Sequence, residues 1–419
     1  MTAFDRIERH LPELIDELAA AAIPDYFDTM LQDTTKARQR PAWSALERWL
    51  PMGVVARPLP ILPVPWRLLA IVALVGLVAA ATAVYVGTRP RIPAPFGPAR
   101  NGVLIIGTAD GDIVSVDPST GTTTALIGGP TIDAGPYFSN DGQRFIFDRG
   151  ASASGPTRSY VANADGSDVH ELLPAGRALN WFEWSPSSDR ALIIETIAGK
   201  KRLSIVDVAN GRSTRLGLEL DVQAAAWRPI HDEIIVTAAA GDARTFWVVN
   251  ADGSGVPRQI PVSPYAINEP TLSPDGTTLA YATWEPTALP GRIRVVDIDA
   301  GGDHAITTVD GDGAIWQSPQ FSPDGTHLLV YRFIATSGSD PGGAQLAIMD
   351  AADGSAITMG PVSENPQPAA IFSPDGTKIV ADYPALHATW MFDADGQNGH
   401  EAPFSAIGGA GATWQRVAR

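Results

Sequence analysis

Six times the chain writes an aromatic or apolar anchor, a tight-turn cluster and then an apolar run. The copies are Phe138-Ser-Asn-Asp-Gly142, Trp184-Ser-Pro-Ser-Ser188, Trp227-Arg-Pro-Ile230, Leu272-Ser-Pro-Asp-Gly276, Phe321-Ser-Pro-Asp-Gly325 and Phe372-Ser-Pro-Asp-Gly376. Successive anchors stand 43 to 51 residues apart. Self-similarity at that period, built from short strands, predicts a β-propeller with one blade per repeat. The turn chemistry agrees. In Ser-Pro-Asp-Gly the proline presets φ for the second position, aspartate suits the third, and glycine takes the left-handed conformation that closes a hairpin. The anchor side chain is expected to face the neighbouring blade.

Each anchor is followed by further strand signals: 144–149 and 158–163 after Phe138, 278–283 and 292–297 after Leu272, 327–333 and 345–350 after Phe321. The third strand runs into a hairpin turn written Ala-Asp-Gly at 164–166, 251–253, 352–354 and 394–396. Residues 102–128 supply three strand signals with no anchor before them, whereas 413–417 look like an anchor strand with nothing after it. Joining the two ends completes a blade and removes an open sheet edge. The count predicts an all-β, seven-bladed propeller closed by N- and C-terminal strands; merging the weak Trp227 repeat would give six blades.

The propeller is expected over 101–419, with four segments before it. Residues 1–50 show helical apolar spacing (Phe4, Ile7, Leu11, Leu14, Ile15, Leu18) and are read either as a small helical appendage or as a partner-binding segment. A proline-rich linker follows at 51–67. Residues 68–86 carry no charge over a length that matches a bilayer and predict one transmembrane helix. A second proline-rich spacer occupies 87–100. Arginines balance across the span, with Arg48, Arg57 and Arg67 before it and Arg89, Arg91 and Arg100 after it. Lys36, Arg38 and Arg40 tip the expectation toward a cytoplasmic N-terminus and an extracytoplasmic propeller.

With no cysteine, disulfides, thiolate metal sites and cysteine nucleophiles are excluded. The net charge of −16 falls almost wholly after residue 67, so nucleic-acid binding by the repeats is disfavoured. The 40 glycines and 35 prolines punctuate strands at regular intervals and do not indicate low complexity. No Gly-x-Ser-x-Gly elbow is present, and His10, His170, His231, His304, His327, His387 and His400 lack the spacing of a helical metal site. Asp393, Asp395 and Glu401 superficially suggest a calcium loop, but Gln397 and Asn398 break the pattern, and a hairpin turn is the better reading. Asp297, Asp299, Asp310 and Asp312 are read as solvated turns. No catalytic residue, cofactor or metal is implied.

The anchor, apolar strand and Asp-Ala-Asp-Gly turn together resemble the TolB-type, WD-like propeller repeat over about three-quarters of the chain. That resemblance implies a binding platform, often outside the bacterial cytoplasm and sometimes coupled to a hydrolase. The helices and single span before it loosely resemble membrane-bound anti-sigma-type regulators, without the His and Cys residues of a zinc-binding version.

Topology locates the expected site. The regular Ser-Pro-Asp-Gly and Ala-Asp-Gly turns share one face; the irregular connections 150–157, 284–291, 335–343 and 384–387 share the other. Irregular loops on a rigid scaffold are where binding usually resides. The starts of the inner strands, assigned to that face, bring Asn180, Trp181, Glu183, Asn268, Glu269, Trp316, Gln317 and Gln367 beside Trp284 as candidates for a protein, small-molecule or glycan ligand. For the tryptophans, packing between blades is the competing reading. The functional expectation is a membrane-anchored binding module that passes a signal to a cytoplasmic partner through residues 1–50. The alternatives are an envelope scaffold, or a hydrolase or lyase using channel carboxylates.

Overall fold

A computed structural model of the chain describes residues 70–78, 94–152, 155–173, 179–197, 199–285, 289–307, 314–335, 341–355, 357–363, 368–405 and 412–418. The chain divides into two units, Met1–Arg89 and Pro90–Arg419. In the first, residues 70–78 are helical and exposed. Among the described residues no helix is long and apolar enough to cross a membrane. The expected span 68–86 extends beyond them on both sides, and residues 1–67 lie wholly outside them.

The second unit is seven four-stranded antiparallel sheets. Six are built in chain order. The seventh takes its inner strand, Ala412–Val417, from the C-terminal end and pairs it with Arg100–Gly107. We number that sheet blade 1, and blades 2 to 7 follow the sequence. Their inner strands are Ile132–Phe138, Leu179–Trp184, Val222–Trp227, Ala266–Leu272, Ile315–Phe321 and Ala369–Phe372. The Trp227 repeat is a blade of its own, which decides for seven over six.

Second strands such as Leu192-Ile193-Ile194 are apolar on both faces because both faces are buried. Alternation sends Leu192 and Ile194 toward blade 4 and Ile193 toward blade 2. The same division recurs at Phe145/Ile146, Ile234/Ile235, Leu328/Leu329 and Ile379/Val380. Seven apolar clusters result, each spanning one junction between adjacent blades. The core is therefore a ring of interfaces, and no blade buries its faces without both neighbours.

The repeated turns are stapled from within. In blade 5, the buried Ser273 donates to the Asp275 carboxylate at 2.5 Å, and its hydroxyl accepts from Thr278 N–H at 2.9 Å. Gly276 N–H closes on the Ser273 carbonyl at 2.8 Å. The same net recurs at Ser139, Ser322 and Ser373. Gly276 sits at φ +70°, and a Cβ there would meet the carbonyl oxygen of Pro229, in the preceding blade's turn, at 2.2 Å. Gly241 has a similar φ of +64° but open space around it. Gly241→Ala should therefore cost only the left-handed backbone term of about 1–2 kcal/mol. Gly276→Ala should cost that plus displacement of a neighbouring blade, roughly twice as much in total. Urea unfolding of the two variants checks this, and equal losses would mean the blades do not interlock there.

The spacer before the propeller departs from expectation. Regular strand structure begins at Arg100, and residues 94–99 are not a free extended tether. Ala99 N–H donates to the Pro374 carbonyl at 2.7 Å, and Arg416 Nη2 donates to the carbonyls of Ala94 and Gly97 at 2.8 and 2.7 Å.

A candidate site in the central channel

The inner strands run parallel around the axis, and the residue before each anchor faces the channel near the Ser-Pro-Asp-Gly turns. That ring is Tyr137, Glu183, Ala226, Thr271, Gln320, Ile371 and Thr413, and all seven line one cavity of about 430 Å³. Pro95, Phe96 and Gly97 line it too, so the segment entering the propeller forms part of its wall at this end of the channel. Six of the inner strands slip register against their second strands: between Ala134 and Tyr137, Leu179 and Trp181, Val222 and Ala224, Ile267 and Thr271, and Gln317 and Gln320, and in blade 1 opposite Asn101 and Leu104. Such bulges re-aim side chains within a sheet.

Three titratable side chains line the cavity: Glu183, Tyr137 and Arg416. Glu183 accepts the Trp227 N–H at 3.2 Å. Loss of solvation raises its carboxyl to about 8, against the opposing effect of that hydrogen bond. Tyr137 packs its ring edge-on to Phe182 at 5.7 Å but is 46% exposed, so its phenol is raised by partial loss of solvation and by the Glu183 charge, opposed by Arg416. Desolvation pulls Arg416 below its usual value, and its Nε–H is buried without an acceptor.

Glu183 sets a pH dependence. Its carboxyl is raised in the folded state, so its contribution is fully present below the ordinary carboxylate value and is lost as pH rises toward about 8. The propeller should melt at a higher temperature at pH 6 than at pH 8.5. Glu183→Gln should flatten that difference; a difference that persists in the variant would remove Glu183 as its source.

The sequence-selected residues are scattered by this geometry. Glu183 is the penultimate residue of its strand and lies at the regular-turn end of the channel, not among the irregular loops. Trp316 is 1% exposed, packed between blades 5 and 6 under the Arg332 guanidinium. Trp181 packs in the junction of blades 3 and 4 and donates Nε1–H to the Ala225 carbonyl at 3.1 Å. Neither ring forms an open stacking surface. Trp284 is exposed at the end of the second strand of blade 5, next to the exposed Tyr265, whose carbonyl accepts its N–H at 3.0 Å. Gln317 is half-buried beside the bulge at Ser318 (φ 50°). Asn180, Asn268 and Glu269 lie on inner strands, but their side chains are outside the described residues, as is Gln367 altogether.

The turn 393–396 is a hairpin, with Gly396 N–H on the Asp393 carbonyl at 2.8 Å and Lys378 on the Asp393 carboxylate at 2.6 Å. Asp299 is more than a solvated turn residue, because it pairs with both Arg228 and Arg258. Tyr137 and Arg416 escaped the sequence reading. Arg416 occupies the position where most repeats write proline, and that exception was the available signal.

No protein-family model matches the chain. Over 134 residues it is 27% identical to Protein TolB homolog of Chlorobium chlorochromatii, a match covering 32% of this chain and 30% of that relative's length. The chain therefore spans less than a third of that curated relative. Among solved structures it is similar to TolB from Acinetobacter baumannii (18% identity, 66% of each chain, TM-score 0.46). It is also similar to an oligogalacturonate lyase in complex with manganese (15% identity, 73% of this chain and 85% of that one, TM-score 0.52). The chain carries a seven-bladed β-propeller whose fold is shared with the lyase, and part of its sequence is similar to a TolB homologue.

Proposed function

We propose that the protein is a membrane-tethered binding module whose propeller meets a protein or small-molecule ligand outside the cytoplasm. The observation that carries this is the inequality of the two faces. One face is built from near-identical turns, stapled by Ser–Asp hydrogen bonds and interlocked with their neighbours. The other carries connections of unlike length, including the 3₁₀ turn Pro384–Leu386 that ends in a left-handed His387. The segment entering the propeller is fastened on the regular-turn face, which leaves the irregular connections clear of it. In this reading 68–86 is a single membrane span and 1–50 engages a cytoplasmic partner in the manner of anti-sigma-type regulators. The competing reading is a non-signalling envelope scaffold.

The absence of cysteine gives a clean test. A membrane-impermeant thiol reagent should label Leu386→Cys and Asp165→Cys in intact cells; labelling only after lysis would sink the extracytoplasmic assignment. Photocrosslinker attached at residue 386 should capture a defined partner that the same group at residue 165 does not. Loss of that partner's response on deletion of 1–50 separates signalling from scaffolding.

One observation favours an enzyme as the second reading. Glu183 is a carboxyl raised into the range of a general acid, in a channel with a phenol and a guanidinium. Turnover of a carbohydrate or peptide substrate that vanishes in Glu183→Gln with folding intact would establish it.

A further inference from the structure

We propose that the regular-turn end of the channel is a binding site for a small organic carboxylate, held by Arg416, Tyr137 and Glu183. The site is independent of the partner surface assigned to the opposite face.

The argument begins with Arg416. Its Nη2 is satisfied by two backbone carbonyls, Ala94 and Gly97, but its Nε–H is buried with no acceptor. Among the described residues it makes no ion pair. The guanidinium is only partly buried, so the point that matters is its buried Nε–H, and a fork with an unmet N–H is the group that best receives a carboxylate.

Its surroundings supply donors and remove competing negative charge. The seven inner strands and the 95–97 segment place three titratable side chains on the cavity. Of these, Glu183 is protonated at neutral pH and presents an acid hydroxyl. Tyr137 keeps its proton far above that pH and presents a phenol. The cavity thus carries one positive charge and two neutral O–H groups inside a strongly acidic protein. Selection of an anion must therefore come from contact at this point, because the overall field repels it. The remaining wall includes Phe96, Trp227 and Trp414, and a volume of about 430 Å³ suits an organic acid with an apolar body.

Phenylacetate is the probe, with phenylacetamide as its uncharged match and inorganic phosphate as a simple anion, each titrated into the full chain. Tryptophan fluorescence is one readout, since Trp227 and Trp414 line the cavity; equilibrium dialysis is the second. Phenylacetate should saturate the protein at pH 6.5. The amide should bind at least about tenfold more weakly, and Tyr137→Phe should lose about threefold to tenfold.

Affinity should fall as pH rises through about 8, because Glu183 then ionises against the ligand, while the ligand's own carboxylate stays charged throughout. In Glu183→Gln the affinity should be flat over that range. Should Arg416→Gln fail to fold, the Tyr137 and Glu183 variants decide alone. No saturation up to about 10 mM, equal binding of the amide, tighter binding of phosphate, or unchanged affinity in both variants would each overturn the assignment.

Discussion

Removal of residues 412–419 is expected to abolish cooperative folding of the propeller. The strand Ala412–Val417 is the inner strand of blade 1, paired with Arg100–Gly107 through Leu104↔Trp414 and Ile105↔Thr413. Its side chains also sew blade 1 to blade 2. Thr413 Oγ1 donates to the Pro136 carbonyl at 3.1 Å and accepts Phe138 N–H at 3.3 Å, and Gln415 Nε2 donates to the Gly142 carbonyl at 2.7 Å. Trp414 fills the junction of blades 7 and 1 and caps the Gly102 carbonyl at 3.1 Å. Because each apolar cluster belongs to two blades, loss of one inner strand strips two junctions and leaves a strand edge open to pairing with another chain.

Trp414→Ala should lose about 3–5 kcal/mol and leave the ring closed. The truncated chain should instead show a broad, low-amplitude urea transition and elute as aggregate on size exclusion. A sharp transition at the full-length midpoint, from a monomer, would show that closure by this strand is dispensable.

Much of this was legible because propeller sequences repeat what propeller physics repeats. An anchor that must fill an inter-blade wedge and a turn that must close in two residues recur wherever a blade recurs. Trp414 could therefore be recognised as an anchor although no strand follows it. Even the channel ring was encoded: once the anchors are aligned, the preceding residue reads Tyr, Glu, Ala, Thr, Gln, Ile and Thr around the axis. Conformational economy explains the degenerate repeats as well. At Ser188 the left-handed position normally given to glycine is kept at φ 59°. In the Trp227 repeat it moves one place earlier to Ile230, φ 56°, the signature of a type II turn after Pro229.

Depth along the channel was misassigned although the anchor alignment encodes it. Glu183 was placed by its strand with the irregular loops, yet it stands directly before the Trp184 anchor and its turn, which puts it at the other end. The tryptophans misled for a different reason. An aromatic at an inner strand can fill a junction or face the opening, and composition is the same in both cases. Trp181 and Trp316 fill junctions, whereas Trp284 is exposed.

Arg228 supplies the sharpest prediction of all, because its ion pairs should cost very different amounts to break from the two sides. It stands where other repeats place the stapling serine, and its side chain is 3% exposed. Its Nε donates to the Gly276 carbonyl at 2.8 Å, Nη1 to Glu233 at 2.7 Å, and Nη2 to Asp299 at 2.5 Å, so one guanidinium ties the turns of blades 4 and 5 together. Its carboxylates are far wetter: Glu233 is 29% exposed and Asp299 60%, the latter also paired with Arg258. Arg228→Met therefore removes the buried charge, fills its volume with an apolar chain and leaves two carboxylates that water can solvate. That change should cost about 1–2 kcal/mol, mainly the orphaned Gly276 carbonyl and turn. The double variant Glu233→Ala/Asp299→Ala removes the same two ion pairs and leaves the guanidinium buried without a counter-charge. It should cost about 3–5 kcal/mol. Acid should reproduce the second case in part. The Arg228 hydrogen bond holds Asp299 below the ordinary carboxylate value, so its contribution is complete above that value and is lost as pH falls through the lowered one. Urea midpoints for both variants at neutral pH decide the matter: equal losses, or a larger loss in Arg228→Met, would place the energy in packing of the arginine stem and not in its buried charge.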